Sequence, residues 1–114
     1  MSQIVNYGRE MIRINTQKNH IEYSTNNGIS WHTRYTSNSC GTFLALLPFG
    51  SELLACTSRG ICYSKNAGSA WHMRYISSSC GNFIDLTSDG STLLATTSKG
   101  LYYSKNSGLS WHKR

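Results

Sequence analysis

The chain has 114 residues, of which 39% are hydrophobic and 14% are charged, and Lys and Arg outnumber Asp and Glu by eleven to five. This apolar and aromatic content excludes an intrinsically disordered chain, and no apolar run approaches the roughly 20 residues that a membrane-spanning helix needs. The net charge of +6 favours acidic partners such as nucleic acid, an anionic glycan or an acidic protein, without selecting among them.

An internal repeat organises the chain. Residues 41–74 and 81–114 align without a gap and are identical at 19 of 34 positions. Residues 1–34 align in the same frame, with most of their identities in the last twelve positions. Self-similarity at a fixed period is typical of repeat architectures. We therefore predict one domain of three units, 1–34, 41–74 and 81–114, joined by connectors at 35–40 and 75–80.

Each unit contains four short predicted strands in chain order. In the second unit the strands are TFLALL, LLACT, ICYS and AWHMR, and in the third they are NFIDL, TLLATT, LYYS and SWHKR. The first unit keeps an apolar run, MIRIN, at 11–15. Short aliphatic and aromatic runs bounded by Gly, Ser and Asn are typical of strands and hairpins. The sequence therefore predicts an all-β fold of three four-stranded antiparallel meanders.

The period and the strand count favour a β-propeller, whose blades have four strands and about 40 residues. A six-residue connector reaches about 20 Å. It therefore spans the three strand spacings, about 14 Å, that separate the outer strand of one blade from the inner strand of the next. Because propellers have about four to eight blades, we expect a second copy to complete a six-bladed ring as a homodimer. The alternative is that the chain belongs to a longer protein or docks on other blades.

One turn recurs in every unit with the pattern Ser-x-Asn-x-Gly-x-Ser/Ala-Trp, and we call its copies at 24–31, 64–71 and 104–111 the box turns. Asn bonds the amides of its own turn, Gly accepts positive φ, and Trp buries a large apolar face. The pattern resembles the Asp-box, or bacterial neuraminidase repeat, of sialidases and sortilin-type receptors, with Asn at the acidic position. This resemblance implies propeller blades, with a structural role for Ser24, Asn26, Gly28, Trp31, Ser64, Asn66, Gly68, Trp71, Ser104, Asn106, Gly108 and Trp111.

The alternating strands assign the loops to two faces. The box turns and the turns between first and second strands share the box face. The connectors and the turns between second and third strands share the connector face. Arg forks match carboxylate, sulfate or phosphate oxygens, and Tyr rings stack on sugars or bases. We therefore predict a ligand-binding set on the connector face: Arg34, Tyr35, Arg59, Arg74, Tyr75, Lys99 and Arg114. In the alternative interpretation, the three repeated arginines cap their blades or pair with a neighbouring blade.

Because the Asp-box occurs in sialidases, the resemblance implies sialidase-type catalysis as one activity to consider. The residues of this chain argue against that activity. That activity needs a tyrosine nucleophile, a partner Glu, an acidic proton donor and three arginines from non-equivalent blade positions. Here the arginines are repeat-equivalent, and Glu52 and Asp89 are expected on the box face. No paired carboxylates, phosphate loop or metal motif occurs in the sequence. We therefore predict a chain that is not an enzyme and uses no cofactor or metal.

Binding is the function that these observations favour. We expect a module that recognises a glycan or an acidic protein through the basic connector face. The alternatives are a nucleic-acid or other polyanion binder using the same face, and a structural subunit of a larger assembly. No secretory signal or membrane span is recognised, which predicts a cytoplasmic protein. Cys56 and Cys62 are expected roughly opposite each other on adjacent strands, where a disulfide is the alternative to free thiols.

Overall fold

The structure, a computed structural model, describes residues 3–76 and 79–114. These residues form β1 (Ile4–Tyr7), β2 (Glu10–Asn15), β3 (His20–Ser24), β4 (His32–Tyr35), β5 (Phe43–Phe49), β6 (Glu52–Thr57), β7 (Gly60–Ser64), β8 (His72–Tyr75), β9 (Phe83–Asp89), β10 (Thr92–Thr97), β11 (Gly100–Ser104) and β12 (His112–Lys113). Within the described ranges no helix is long and apolar enough to cross a membrane.

The strands form three four-stranded antiparallel sheets, each a meander of consecutive strands. Sheet 1 contains β1 to β4, sheet 2 contains β5 to β8 and sheet 3 contains β9 to β12. The prediction of an all-β fold with three four-stranded meanders is confirmed. Residues 77–78 of the second predicted connector lie outside the described residues.

Sheet 2 lies between the other two and is covered on both faces. Its strand β6 has five of six residues buried, because successive side chains of a strand point to opposite faces. Leu53 and Ala55 pack in an apolar cluster shared with sheet 1, whereas Leu54 and Cys56 pack in a cluster shared with sheet 3. Each fully buried Leu contributes about 1.5–3 kcal/mol. The two clusters therefore hold the three sheets together.

The strand register of sheet 1 differs from that of the other sheets. Ser24, Ser64 and Ser104 pair with Met11, Leu53 and Leu93, respectively. Met11 and Leu53 are thus 42 residues apart, whereas the box turns repeat every 40 residues. The two extra residues lie in the turn at 16–19, which has four residues where 58–59 and 98–99 have two. The ungapped alignment of the first unit is therefore wrong before that turn.

Close backbone packing fixes the connector face. Gly60, at the start of β7, has a φ of 140° and lies directly against the carbonyl group of Tyr75. A Cβ atom at Gly60 would overlap that carbonyl oxygen, so the position requires glycine. The turn at 58–59 is held against the start of β5 as well, because Ser58 Oγ accepts a hydrogen bond of 2.8 Å from Thr42 N–H.

Candidate functional site

The box turns share a common set of local hydrogen bonds. In the first, Ser24 Oγ accepts bonds from Gly28 N–H at 2.9 Å and Asn26 N–H at 3.3 Å, and donates to Asn26 Oδ1 at 2.8 Å. Asn26 Oδ1 accepts a bond from Ser30 N–H at 3.0 Å, and Trp31 Nε1 donates to Gly28 O at 3.1 Å. The other two turns repeat these bonds within 0.1 Å. The polar side chains thus bond within their own turn.

Arg34 extends away from the connectors and joins two sheets at the box face. Its guanidinium donates two hydrogen bonds, of 2.7 and 2.8 Å, to the carboxylate of Glu10. A third bond, of 3.1 Å, goes to Ala67 O in the box turn of sheet 2. The guanidinium carbon lies 3.7 Å from the centroid of the Tyr23 ring, a cation–π distance. Arg34 therefore connects three groups that all lie toward the box face or between the sheets.

Arg74 repeats this arrangement between sheets 2 and 3. It donates bonds of 2.6 and 2.7 Å to Glu52 and one of 3.0 Å to Ser107 O, and it lies 4.0 Å from the Tyr63 ring centroid. The prediction that Arg34 and Arg74 point into the connector face is wrong for their guanidinium groups, because the long side chains run back toward the box face. The glutamates belong to the same sheets as their arginines, whereas the bonds to Ala67 O and Ser107 O reach the next sheet. These last bonds match the alternative in which the repeated arginines pair with a neighbouring blade.

Hydrogen bonding shifts the pKa values of the paired glutamates and arginines. The bond from Arg34 lowers the pKa of Glu10 against the opposing effect of burial, and the bond from Arg74 does the same for Glu52. The same bonds raise the pKa of the two arginines. Both pairs are therefore charged at neutral pH. Each pair holds its arginine in the position from which it bonds to the box turn of the next sheet.

Arg114 has neither of the partners that its repeats use. Thr92 stands where sheets 1 and 2 have a glutamate, as the strand pairing shows, and no described sheet follows sheet 3. Arg114 is exposed and lines a surface pocket of about 270 Å³ with Asp89, Tyr103 and Lys105. Among the described residues, no carboxylate forms an ion pair with it within 4.0 Å. The structure therefore separates Arg114 from its two repeat equivalents.

Two of the predicted site residues meet on the first connector. The Tyr35 hydroxyl lies 3.0 Å from Ser39 Oγ, and Arg59 Nη1 donates a hydrogen bond of 2.7 Å to Ser39 O. The Tyr35 ring packs edge-on against Phe43 with centroids 6.1 Å apart. Tyr35 and Arg59 thus both hold the connector through Ser39, and Arg59 lies at the connector face.

The second connector repeats the tyrosine contact. The Tyr75 hydroxyl lies 3.1 Å from Ser79 Oγ, and the ring packs edge-on against Phe83 at 6.0 Å. Lys99 is exposed in the turn at 98–99, beside Gly81. Of the seven predicted ligand-binding residues, Tyr35, Arg59, Tyr75 and Lys99 therefore lie on the connector face.

A cleft opens on this face between sheets 2 and 3. Its volume is about 160 Å³, and it is lined by Thr57, Ser58, Arg59, Gly60, Ile76, Gly81, Asn82 and Phe83. At the equivalent place between sheets 1 and 2, the side chain of Asn19 bonds to Phe43 N–H at 2.8 Å and to Gly41 O at 3.0 Å. Sequence reasoning missed Asn19, whose signal was the longer turn at 16–19 that contains it. The two junctions thus differ on the connector face.

The predicted cross-strand position of two cysteines is wrong by one residue. Cys62 pairs in register with Ala55, whereas Cys56 pairs with Ile61, so the two thiols point to opposite faces of sheet 2. Cys56 packs in the cluster shared with sheet 3, and Cys62 in the cluster shared with sheet 1. All four cysteines are free and buried. Burial raises the pKa of Cys56 to about 12 and also raises that of Cys62, so neither thiol ionises at neutral pH.

The outermost faces of sheets 1 and 3 expose positions that are buried at the internal junctions. Ile21 and Ile61 are 0% exposed, whereas Leu101, their repeat equivalent, is 42% exposed. Ile61 lies against Gly108 in the next sheet, and Ile21 lies against Gly68. On the outer face of sheet 1, an ion pair of 2.7 Å between Arg13 and Glu22 replaces the Ala55 and Cys62 side chains of sheet 2.

One further contact repeats in all three sheets. The histidines that follow each box-turn Trp pack on tyrosine rings with centroids 5.5 Å apart. Within residues 3–76 and 79–114, no three His, Cys, Asp or Glu side chains come close enough together to hold a metal ion.

Neither a protein-family model nor a curated protein matches the sequence.

Proposed function

We propose that this chain is a non-enzymatic binding module built from propeller blades of the Asp-box type, which recognises a glycan or protein partner through its connector face. The observation that carries this proposal is the cleft of about 160 Å³ beside Arg59, which opens on the connector face between sheets 2 and 3. Ligand sites are concave and combine a few convergent polar groups with apolar surface. Arg59, Ser58 and Asn82 offer the polar groups here, and Ile76 offers exposed apolar surface.

The box face supports binding less well. Its arginines are engaged by glutamates, and its Asn and Ser side chains bond within their own turns. A general polyanion site also has less support, because Arg34 and Arg74 are each ion-paired with a glutamate. Among the described residues, Arg59 and Lys99 form no ion pair, so on the connector face they suit a local contact with an acidic or polar group.

A glycan array tests the proposal directly. We expect the chain to bind a restricted set of glycans, and the Arg59→Ala variant to lose at least about tenfold in affinity, the cost of a charged hydrogen bond. Lys105→Ala is the matched control, because Lys105 is an exposed cation on the box face. Equal losses in both variants, or no binding on the array and none to purified candidate proteins, would contradict the proposal.

We further propose that a second copy closes the ring of blades. Leu101 is exposed where Ile21 and Ile61 are buried against a glycine of the following box turn. In the first box turn that glycine is Gly28, whose Cβ position lies nearest to Trp31 and Met11 of its own sheet. Leu101 of one copy therefore fits against Gly28 of the other, and Arg114 would reach the carbonyl of the first box turn as Arg34 reaches Ala67 O.

Solution mass decides whether the ring closes this way. The chain mass is 12.7 kDa, and we expect light scattering to give twice that value. Leu101→Asp should weaken association by at least about tenfold, because it places a charge in an apolar contact. Leu109→Asp is the control, since Leu109 is also exposed but lies in a box turn. A wild-type chain that stays at 12.7 kDa would overturn this part of the proposal.

A further inference from the structure

The two sheet junctions offer an internal comparison of one binding position. Between sheets 1 and 2, Asn19 Oδ1 accepts a hydrogen bond of 2.8 Å from Phe43 N–H, the first residue of β5. Its Nδ2 group donates to Gly41 O at 3.0 Å and to Asn38 Oδ1 at 3.3 Å. Asn19 has a φ of 56°, which turns its side chain from the four-residue turn into the junction. A carboxamide therefore fills this position in the first junction.

Between sheets 2 and 3 the same position is open. Phe83 and Gly81 correspond to Phe43 and Gly41, since β9 and β5 begin at equivalent residues and both glycines have φ near 86° (85° and 87°). The turn at 58–59 is two residues shorter than that at 16–19 and has no counterpart of Asn19. Among the described residues, no side chain bonds to Phe83 N–H or Gly81 O. The space left open is the cleft of about 160 Å³, well above the roughly 10–15 Å³ that one water needs.

The backbone groups at this cleft specify what fits. Phe83 N–H requires an acceptor, and Gly81 O requires a donor beside it. A carboxylate offers acceptors alone and would place an oxygen against Gly81 O. A primary carboxamide carries a carbonyl oxygen and an adjacent NH₂ group, as Asn19 does. In the first junction the second N–H of this NH₂ group donates to Asn38 Oδ1 at 3.3 Å, whose repeat equivalent at position 78 lies outside the described residues.

We propose that the cleft between sheets 2 and 3 binds a primary carboxamide, such as the Asn or Gln side chain of a polypeptide partner. The amide takes the place that Asn19 occupies in the first junction, with its carbonyl on Phe83 N–H and its NH₂ group on Gly81 O. Arg59 and Asn82 at the rim contact the polar backbone around that side chain, and Ile76 packs on its methylene groups. This inference rests on the proposed function, because it names the group that the connector face recognises.

Amide chemical shifts test this at single residues. We expect propionamide, titrated into the ¹⁵N-labelled chain, to shift the Phe83 amide resonance with a Kd of about 1–20 mM, as suits so small a ligand. The Phe43 resonance should stay fixed, because Asn19 already occupies its junction. N,N-dimethylpropionamide lacks the N–H donor, and we expect it to bind about two- to tenfold more weakly. Propionate should leave Phe83 unmoved.

Two variants reverse the occupancy of the junctions: one empties the first junction and the other fills the second. Asn19→Ala empties the first junction, so the Phe43 resonance should then respond to propionamide as Phe83 does. Replacing the turn at 58–59 with the four residues of 16–19 places a carboxamide in the second junction, and the response of Phe83 should disappear. If either variant fails to give a dispersed spectrum, the comparison of the three small probes on the wild-type chain still decides.

Several results would overturn the proposal. An unmoved Phe83 resonance at 100 mM propionamide, about five times the weakest expected Kd, would do so. Equal binding of the amide and its dimethyl derivative would do so as well, since the N–H donor would then be irrelevant. Tighter binding of N-acetylglucosamine than of propionamide would assign the cleft to an acetamido sugar instead. Failure here combined with Arg59-dependent binding on the glycan array would reject the carboxamide and leave the proposed function standing.

Discussion

The box face and the connector face are built from the same repeats but differ in how closely the repeats agree. At the box face, three turns hold matching bonds and two arginines make matching ion pairs. At the connector face, one junction is filled by Asn19 and the other is an open cleft. Agreement between repeats marks what every sheet needs in order to fold and pack. A departure from the repeat marks a junction that can bind a group from outside, at a position that the other junction fills with its own side chain.

Removing one partner of a box-face ion pair should have the largest effect on stability. Arg74 and Glu52 are 11% and 14% exposed, and a buried charge left alone costs about 3–5 kcal/mol. We expect Arg74→Ala to lower the free energy of unfolding by about that amount in urea denaturation. Arg59→Ala, the matched change at the connector face, should cost less than about 1 kcal/mol. Similar losses from both would remove the energetic distinction between the faces.

Ser64 should give the next largest effect, because it organises the second box turn from a fully buried position. Its Oγ accepts bonds from Gly68 N–H at 2.9 Å and Asn66 N–H at 3.3 Å. Ser64→Ala leaves those donors unsatisfied, and we expect a loss of about 1–3 kcal/mol by the same denaturation measurement. Ser58→Ala removes one exposed bond at the connector face and should cost about half as much or less.

The two faces also differ in how much of them the sequence could predict. The strands and box turns depend on local patterns, namely short apolar runs and the spacing of Ser24, Asn26, Gly28 and Trp31. Those patterns predicted the three meanders. The direction of a long side chain is a different matter, because the position of Arg34 at the end of β4 does not reveal that its guanidinium runs back to Glu10. Tertiary contacts decide that direction.

The cleft was missed for a reason that lies in the register. The first unit has the same length as the others, so it aligned without a gap, although its turn at 16–19 is two residues longer. Gly8 and Glu10 coincide with Gly50 and Glu52 only when that offset is applied. The prediction for Cys56 and Cys62 failed because of a different register error, since a shift of one residue moves a side chain to the other face of a strand.

Acid titration should separate the faces by their charge. The pKa values of Glu10 and Glu52 are lowered in the folded chain from an ordinary value of 4.5. Their stabilisation is therefore fully present above pH 4.5 and is lost as the pH falls through the folded values, with a slope of at most about 1.4 kcal/mol per pH unit for each group. We expect Glu52→Gln to flatten the stability curve below about pH 5. A slope unchanged in that variant would contradict the contribution of this pair.

The smallest expected change tests the agreement among box turns itself, because the second turn lacks one bond that the others make. Asn26 Nδ2 donates to Ser30 Oγ at 2.9 Å, and Asn106 Nδ2 donates to Ser110 Oγ at 2.8 Å, but the equivalent residue in the second turn is Ala70. Because the site is exposed, we expect Ala70→Ser to raise the free energy of unfolding by only about 0.5 kcal/mol.

The reverse change, Ser30→Ala, is the control for that gain and should cost a similar amount in the same denaturation experiment. The backbone of the second turn already matches the first, since Asn66 Oδ1 accepts its bond from Ala70 N–H at 2.9 Å, against 3.0 Å from Ser30 N–H. An added hydroxyl therefore finds its partner in place. If Ala70→Ser has no effect while Ser30→Ala destabilises the chain, the turns are alike in shape but not in energy. Structural agreement between the repeats then does not show that each box turn contributes equally to the free energy of unfolding.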